Sequence, residues 1–105
     1  MPAALADGLS QAALVALADE AGGLFRQANE AVQKEPGRAR ELYEQAILRY
    51  RRIIEEGGIA NAALHYNIGN AYLLKGDPGR AILHYRRAQA LKKRNRRKHH
   101  AGGQC

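Results

Sequence analysis

The chain has no tryptophan, one phenylalanine and one cysteine in 105 residues. So few large aromatics do not suit the bulky core of a sandwich or barrel. Cys105 ends the chain alone, so an intramolecular disulfide is excluded and cysteine usage says little about compartment. No run approaches the roughly 18 apolar residues that a membrane-spanning helix needs. No segment alternates as a strand does, and no glycine-rich loop suited to phosphates is present. His99, His100 and Cys105 match no standard zinc spacing, two adjacent histidines beside a distant cysteine being a poor ligand set. His65 and His84 have no nucleophile or carboxylate at motif spacing and read as helix-surface residues. The expectation is a protein without catalysis, metal or cofactor.

What is present points to helices. Hydrophobic residues make up 46% of the chain, many of them alanine, which suits thin, closely packed helices. Charge is unevenly spread: residues 1–91 hold 11 Lys and Arg against 10 Asp and Glu, whereas residues 92–105 hold six cations and no acid. A near-neutral domain therefore carries a basic tail. Ala16, Leu17 and Ala18 mimic a signal-peptidase site, but no cation precedes them and Asp7 interrupts the apolar run. The segment reads as helix and the expected location is cytoplasmic.

Four helices follow from the spacing. Ser10 is a good N-cap for a helix to about Lys34, with Leu14, Leu17, Ala18, Ala21, Phe25, Ala28 and Val32 on one face. Gly22 and Gly23 weaken its middle and predict two shorter helices at an angle. Pro36 suits the first position of a second helix, whose stripe is Ala39, Leu42, Tyr43, Ala46, Ile47, Tyr50, Ile53 and Ile54; Gly57 and Gly58 end it. The third helix carries Leu64, Ile68, Ala71 and Tyr72 and closes at Gly76. The fourth starts at Asp77 and Pro78 and presents Ala81, Ile82, Tyr85, Ala88 and Leu91. Short connections make neighbours antiparallel hairpins. The fold class is all-α.

The chain also repeats itself. AILRYRR at 46–52 returns as AILHYRR at 81–87, an offset of 35, while EPGRA at 35–39 returns as DPGRA at 77–81, an offset of 42. The offsets differ by a heptad, so an insertion of two turns lengthens the second helix and keeps its stripe on one side. Two helices per unit with a period near 34 indicate a helical-hairpin solenoid.

On these residues the chain resembles the tetratricopeptide repeat (TPR) family. Residues 62–93 match one repeat through Ile68, Gly69 and Tyr72 on its first helix and Ala81, Tyr85 and Ala88 on its second. His65 replaces the usual early aromatic and Lys93 the closing proline. Residues 24–56 resemble a second, elongated copy, with Ala28 in the place of Gly69 and a turn one residue shorter. The wording NIGNAYLLKGDPGRAILHYRRAQAL further resembles the repeats of BatE-type bacterial aerotolerance proteins, which implies an exported or membrane-associated alternative location. The resulting organisation is a helical or capping segment at 1–23, two hairpins at 24–58 and 60–91, and a basic tail at 92–105, expected to be frayed or disordered.

The resemblance implies a protein-interaction scaffold that takes a peptide or protein on the inner surface formed by the first helix of each hairpin. The matching positions are Phe25, Asn29, Val32 and Gln33 in one unit and Ala63, Tyr66, Asn70, Leu73 and Leu74 in the other. Asn29 and Asn70 are equivalent, and an amide offers both donor and acceptor to a peptide backbone; the alternative is that both are solvated surface residues. Phe25, Tyr66 and Ala63 stand where a clamp for a terminal carboxylate would need cations, so an apolar groove anchored by Tyr66, Leu73 and Leu74 is expected. Gly69 reads as a packing device, its missing Cβ admitting the partner helix.

The tail carries Lys92, Lys93, Arg94, Arg96, Arg97 and Lys98. Without interleaved aromatics it would bind nucleic acid non-specifically, or an anionic membrane, through charge alone; otherwise it is a solvated helix extension. Its abrupt composition also fits a truncated or frame-shifted reading frame, leaving a fragment of a larger TPR protein with no independent function. Finally, Tyr50, Ile53 and Ile54, or the unpaired face of the last helix, offer surfaces for self-association.

Overall fold

The computed structural model describes residues 8–59 and 61–103, with side chains in the last helix described as far as Arg96. Four α-helices follow one another: α1 is Gln11–Ala31, α2 is Pro36–Gly57, α3 is Ala62–Lys75 and α4 is Pro78–Gly103. The local signals act where they were expected. Ser10 Oγ accepts from the Ala13 N–H at 3.1 Å, and Asn61 Oδ1 accepts from Ala63 at 2.7 Å, satisfying amides that a helix start leaves orphaned. Gly58 and Gly76 take φ of 64° and 100° at the ends of α2 and α3. That left-handed conformation favours glycine.

Two expectations about α1 fail. The helix runs unbroken through Gly22 and Gly23, because Leu17, Ala21 and Ala28 are buried on either side. Packing outweighs the roughly 1 kcal/mol that each glycine costs. The helix also stops at Ala31, which leaves Val32 exposed just beyond it, and Ala18 faces solvent.

Each helix packs chiefly on the next in sequence, α1 on α2, α2 on α3 and α3 on α4. The core is continuous across all three seams. Tyr43, Ile47 and Ile68 are its largest fully buried side chains. The radius of gyration is 16.0 Å, against about 13 Å for a compact domain near this length. Serial stacking and the long α4 account for the difference, and residues 92–103 continue α4 as helix.

The two repeat offsets are resolved by hydrogen bonding. Tyr43 donates to Asn29 Oδ1 at 2.6 Å, and Tyr85 donates to Asn70 Oδ1 at 2.6 Å. Tyr43 therefore corresponds to Tyr85, an offset of 42, which also aligns Ala39 with Ala81 and Ala46 with Ala88, all four buried. The surplus length of α2 lies beyond this frame. The first half of α1 covers it: Leu14 sits so close to Gly57 that a Cβ there would lie 2.5 Å from Leu14 Cδ2. Glu20 pairs with Arg49 at 3.3 Å on the same seam.

The same frame corrects α4. His84 aligns with the buried Leu42 and is itself only 8% exposed, while Ile82 is 51% exposed. Residues 81, 84, 85 and 88 form the inward stripe, and Ile82 lies a further 100° around the helix. Ile47, in the identical tripeptide AIL, is 1% exposed because α2 has a helix on both flanks and α4 on one. Tyr50 and Ile53 are consumed by the core, so they offer nothing to a second chain. Leu91 is half-buried.

Candidate partner-binding surface

The first helix of each hairpin supplies the surface. On α3, Ile68, Gly69, Ala71 and Tyr72 turn inward and are buried, so Tyr66, Leu73 and Leu74 fall away from that stripe, while Asn70 is half-buried. Tyr66 and Leu73 are each 51% exposed and Leu74 is 50% exposed. On α1, Asn29 is exposed, Val32 follows it at the helix end, and Phe25 is half-buried. Phe25 belongs partly to the core, its ring meeting Tyr43 edge-on at 5.4 Å. Tyr66 leans on the Tyr85 ring at 5.3 Å, which fixes it as a platform while half its surface stays in water.

The structure brings some of these residues together. Val32 and Leu74, one from each hairpin, share a hollow of about 160 Å³ with Ala39 and Arg40. Lys75 borders that hollow and forms an ion pair with Glu44 that ties the end of α3 to α2. The sequence pattern did not single out this clasp, since the partners lie on different helices. Gly69 is a packing residue: an added Cβ would lie 2.7 Å from Tyr85 Cε1 and 3.2 Å from the Ala81 carbonyl oxygen.

Asn29 and Asn70 have a defined structural role. Each carbonyl oxygen receives a tyrosine hydroxyl from the second helix of its own hairpin. This fixes the amide, and neither donates a hydrogen bond among the described residues. Burial raises the pKa of both Tyr43 and Tyr85, so the hydroxyls stay protonated and able to donate at neutral pH. Removing either asparagine side chain would therefore strand a partly buried hydroxyl, at a cost of about 1–3 kcal/mol.

Of the two histidines read as helix-surface residues, His84 is buried and His65 half-buried. His65 Nδ1 and His84 Nδ1 are 3.2 Å apart, so one ring donates and the other accepts. His84 also stacks on Tyr72 at 5.6 Å. Burial, then the Arg87 charge, holds His65 below its usual pKa. The same causes, with His65 and Arg51, push His84 down to about 4. The signal for its burial was available: His84 falls on the stripe with Ala81, Tyr85 and Ala88.

In the tail, Lys92, Lys93, Arg94 and Arg96 are all exposed along α4. The side chains of Arg97, Lys98, His99, His100 and Cys105 lie outside the described residues. No helix among the described residues is long and apolar enough to cross a membrane.

No curated protein and no solved structure matches the chain. A family model described as tetratricopeptide repeat matches residues 28–94, which covers both paired asparagine–tyrosine contacts and the α2–α3 seam. Proteins of this kind generally mediate protein–protein interaction through a scaffold that is typically non-catalytic. Four antiparallel helices in register and a match over more than half its length place the chain in the tetratricopeptide-repeat family.

Proposed function

We propose that the chain is a non-catalytic scaffold that holds an extended peptide or protein segment across the first helices of its two hairpins. Phe25, Asn29, Val32, Tyr66, Asn70, Leu73 and Leu74 form the surface. The observation that carries this reading is the half-exposure of Tyr66, Leu73 and Leu74 on α3, with Leu74 and Val32 meeting in one hollow between the hairpins. Fixed aromatic and aliphatic anchors beside immobilised amides are what a peptide with alternating apolar side chains would use. The finer likeness to BatE-type repeats rests on residues 67–91 and suggests a bacterial, membrane-proximal setting. The cytoplasm is the simpler assignment.

The test is selection of binding peptides from a displayed library, followed by affinity measurement on variants. Tyr66→Ala/Leu74→Ala should weaken the selected peptides at least about tenfold, as loss of interface anchors does. Asn29→Asp/Asn70→Asp keeps the acceptors that the tyrosines need and removes the amide donors, so it should reduce affinity while the fold holds. Peptides that bind all these variants as well as wild type would refute the groove.

A second reading has an observation behind it. Lys92, Lys93, Arg94 and Arg96 are exposed on α4 and have no ion-pair partner among the described residues. Such a helix would hold nucleic acid or anionic lipid by charge. Deleting residues 92–105 should abolish that binding and added salt should weaken it steeply; retained binding would eliminate it.

A further inference from the structure

Outside the proposed groove, a cleft of about 200 Å³ lies where α2, α3 and α4 meet. Its charged lining is lopsided. Arg51 enters from α2, and Arg80 and Arg87 from α4, against the single carboxylate Glu55. The His65 and His84 pair forms part of the wall with Tyr72, and Ile54, Ile68 and Leu83 supply an apolar side. Three arginines lining one concavity leave it positively charged, and such charges repel one another unless something negative lies among them.

The existing partners do not satisfy this charge. Arg51 bonds Glu55 at 3.2 Å and Arg80 bonds Asp77 at 2.7 Å. Both are solvent-screened pairs between near neighbours on one chain segment, and such pairs hold their partners weakly enough to exchange for another anion. Arg87 has no ion pair among the described residues. A divalent cation is disfavoured by the same three charges, although two imidazoles lie side by side. The size of the cleft matters too: at about 30 Å³ per water, it exceeds what a bare ion would fill.

We propose that this cleft is a binding site for a small phosphate monoester, its dianionic group held by Arg51, Arg80 and Arg87 and its organic body lying along Ile54, Ile68 and Leu83. Arginine suits this role because its planar fork matches phosphate oxygens. The His65 and His84 pair couples the site to protons. The pair can accept one proton and keep its Nδ1–Nδ1 hydrogen bond, because the cationic ring then donates to the neutral one. The groups facing it are Arg51 and Glu55 from α2, Tyr72 from α3, and Arg80 and Arg87 from α4. Without a ligand Arg87 and Arg51 oppose that proton; with a dianion beside them they no longer do. Binding therefore takes up a proton and tightens as pH falls.

The experiment is a titration followed by backbone and imidazole NMR. It uses the full chain in which Lys92, Lys93, Arg94, Arg96, Arg97 and Lys98 are all replaced by Gln, so that the tail cannot compete. Sulfate, which remains a dianion throughout, is the probe for pH dependence, and phenyl phosphate is the probe for the organic body. At fixed ionic strength the shifts should map to His65, Tyr72, His84 and Arg87. Sulfate should bind about three- to tenfold more tightly at about pH 5.5 than at about pH 7.5. Phenyl phosphate should bind more tightly than sulfate at a common pH. Arg87→Gln, at an exposed position and so harmless to the fold, should weaken both at least about tenfold. The proposal is overturned if no saturable shift occurs at these residues, if Arg87→Gln leaves affinity unchanged, or if sulfate affinity is the same at both pH values.

Discussion

Replacing Gly69 and Gly22 by alanine should move stability in opposite directions, although both sit in helix interiors. On propensity alone each substitution gains roughly 1 kcal/mol. At Gly22 the new Cβ would lie 3.5 Å from Arg26 Nη1, an ordinary contact with a flexible side chain. The gain is kept, and a stabilisation of about 0.5–1 kcal/mol is expected. At Gly69 the Cβ would lie 2.7 and 2.8 Å from Tyr85 Cε1 and Cδ1, and 3.2 Å from the Ala81 carbonyl oxygen. The ring cannot swing freely, because its hydroxyl is bonded to Asn70 at 2.6 Å and its face meets Tyr66. Overpacking costs about 1–3 kcal/mol and disturbing the hydroxyl bond about 1 more. The net effect is a destabilisation of about 1–3 kcal/mol. The first hairpin carries Ala28 at the equivalent place, but there the span from asparagine to its tyrosine is 14 residues rather than 15. Urea denaturation measures the difference directly. By heat, Gly69→Ala should lower Tm by roughly 4–24 °C and Gly22→Ala should raise it by roughly 2–8 °C. Repeating Gly69→Ala on a Tyr85→Leu background should recover most of the helix-propensity gain. If Gly69→Ala stabilises the wild-type chain, the close-packing argument is wrong.

Two further outcomes follow from local geometry. Gly76→Ala should cost about 1–2 kcal/mol by strain alone, since a Cβ there has no neighbour within 4 Å but φ is 100°; an unchanged urea midpoint would show that this turn relaxes freely. His84 is held near 4 when folded and near 6.5 when unfolded, so the unfolded state binds the extra proton as pH falls. Its contribution is fully present above about pH 6.5 and is lost on descending towards about pH 4, by about 1–3 kcal/mol. His84→Leu, copying Leu42, should flatten that part of the stability–pH curve, and an unaltered slope would place the titration elsewhere.

Much of the architecture was legible because helical periodicity and end signals are local. Ser10, Pro36, Gly58 and Gly76 act within their own stretch of chain, so reading them needed no knowledge of distant neighbours. The failures share one cause, which is information carried by another helix. Gly22 and Gly23 looked like a break because the burial of Leu17, Ala21 and Ala28 on either side of them is invisible from α1 alone. Ile82 and His84 were exchanged because hydropathy ranks isoleucine above histidine, whereas position on the stripe decides burial. On the candidate surface, exposure of Tyr66 and Leu73 followed from α3's own spacing. The tyrosine bonds to Asn29 and Asn70 did not, since each joins residues 14 or 15 apart across a turn.

The inserted heptad of α2 bears on the length of any ligand. Seven residues rise about 10 Å along a helix while returning to nearly the same face. A hairpin that starts from the far end of such an extension would be offset by up to that distance, and Asn70 with it relative to Asn29. A strand engaging both amides would cross the hairpins on a diagonal, spending roughly three extended residues on the climb alone. Peptides long enough for an array of equal repeats would be too short to reach both amides of this one.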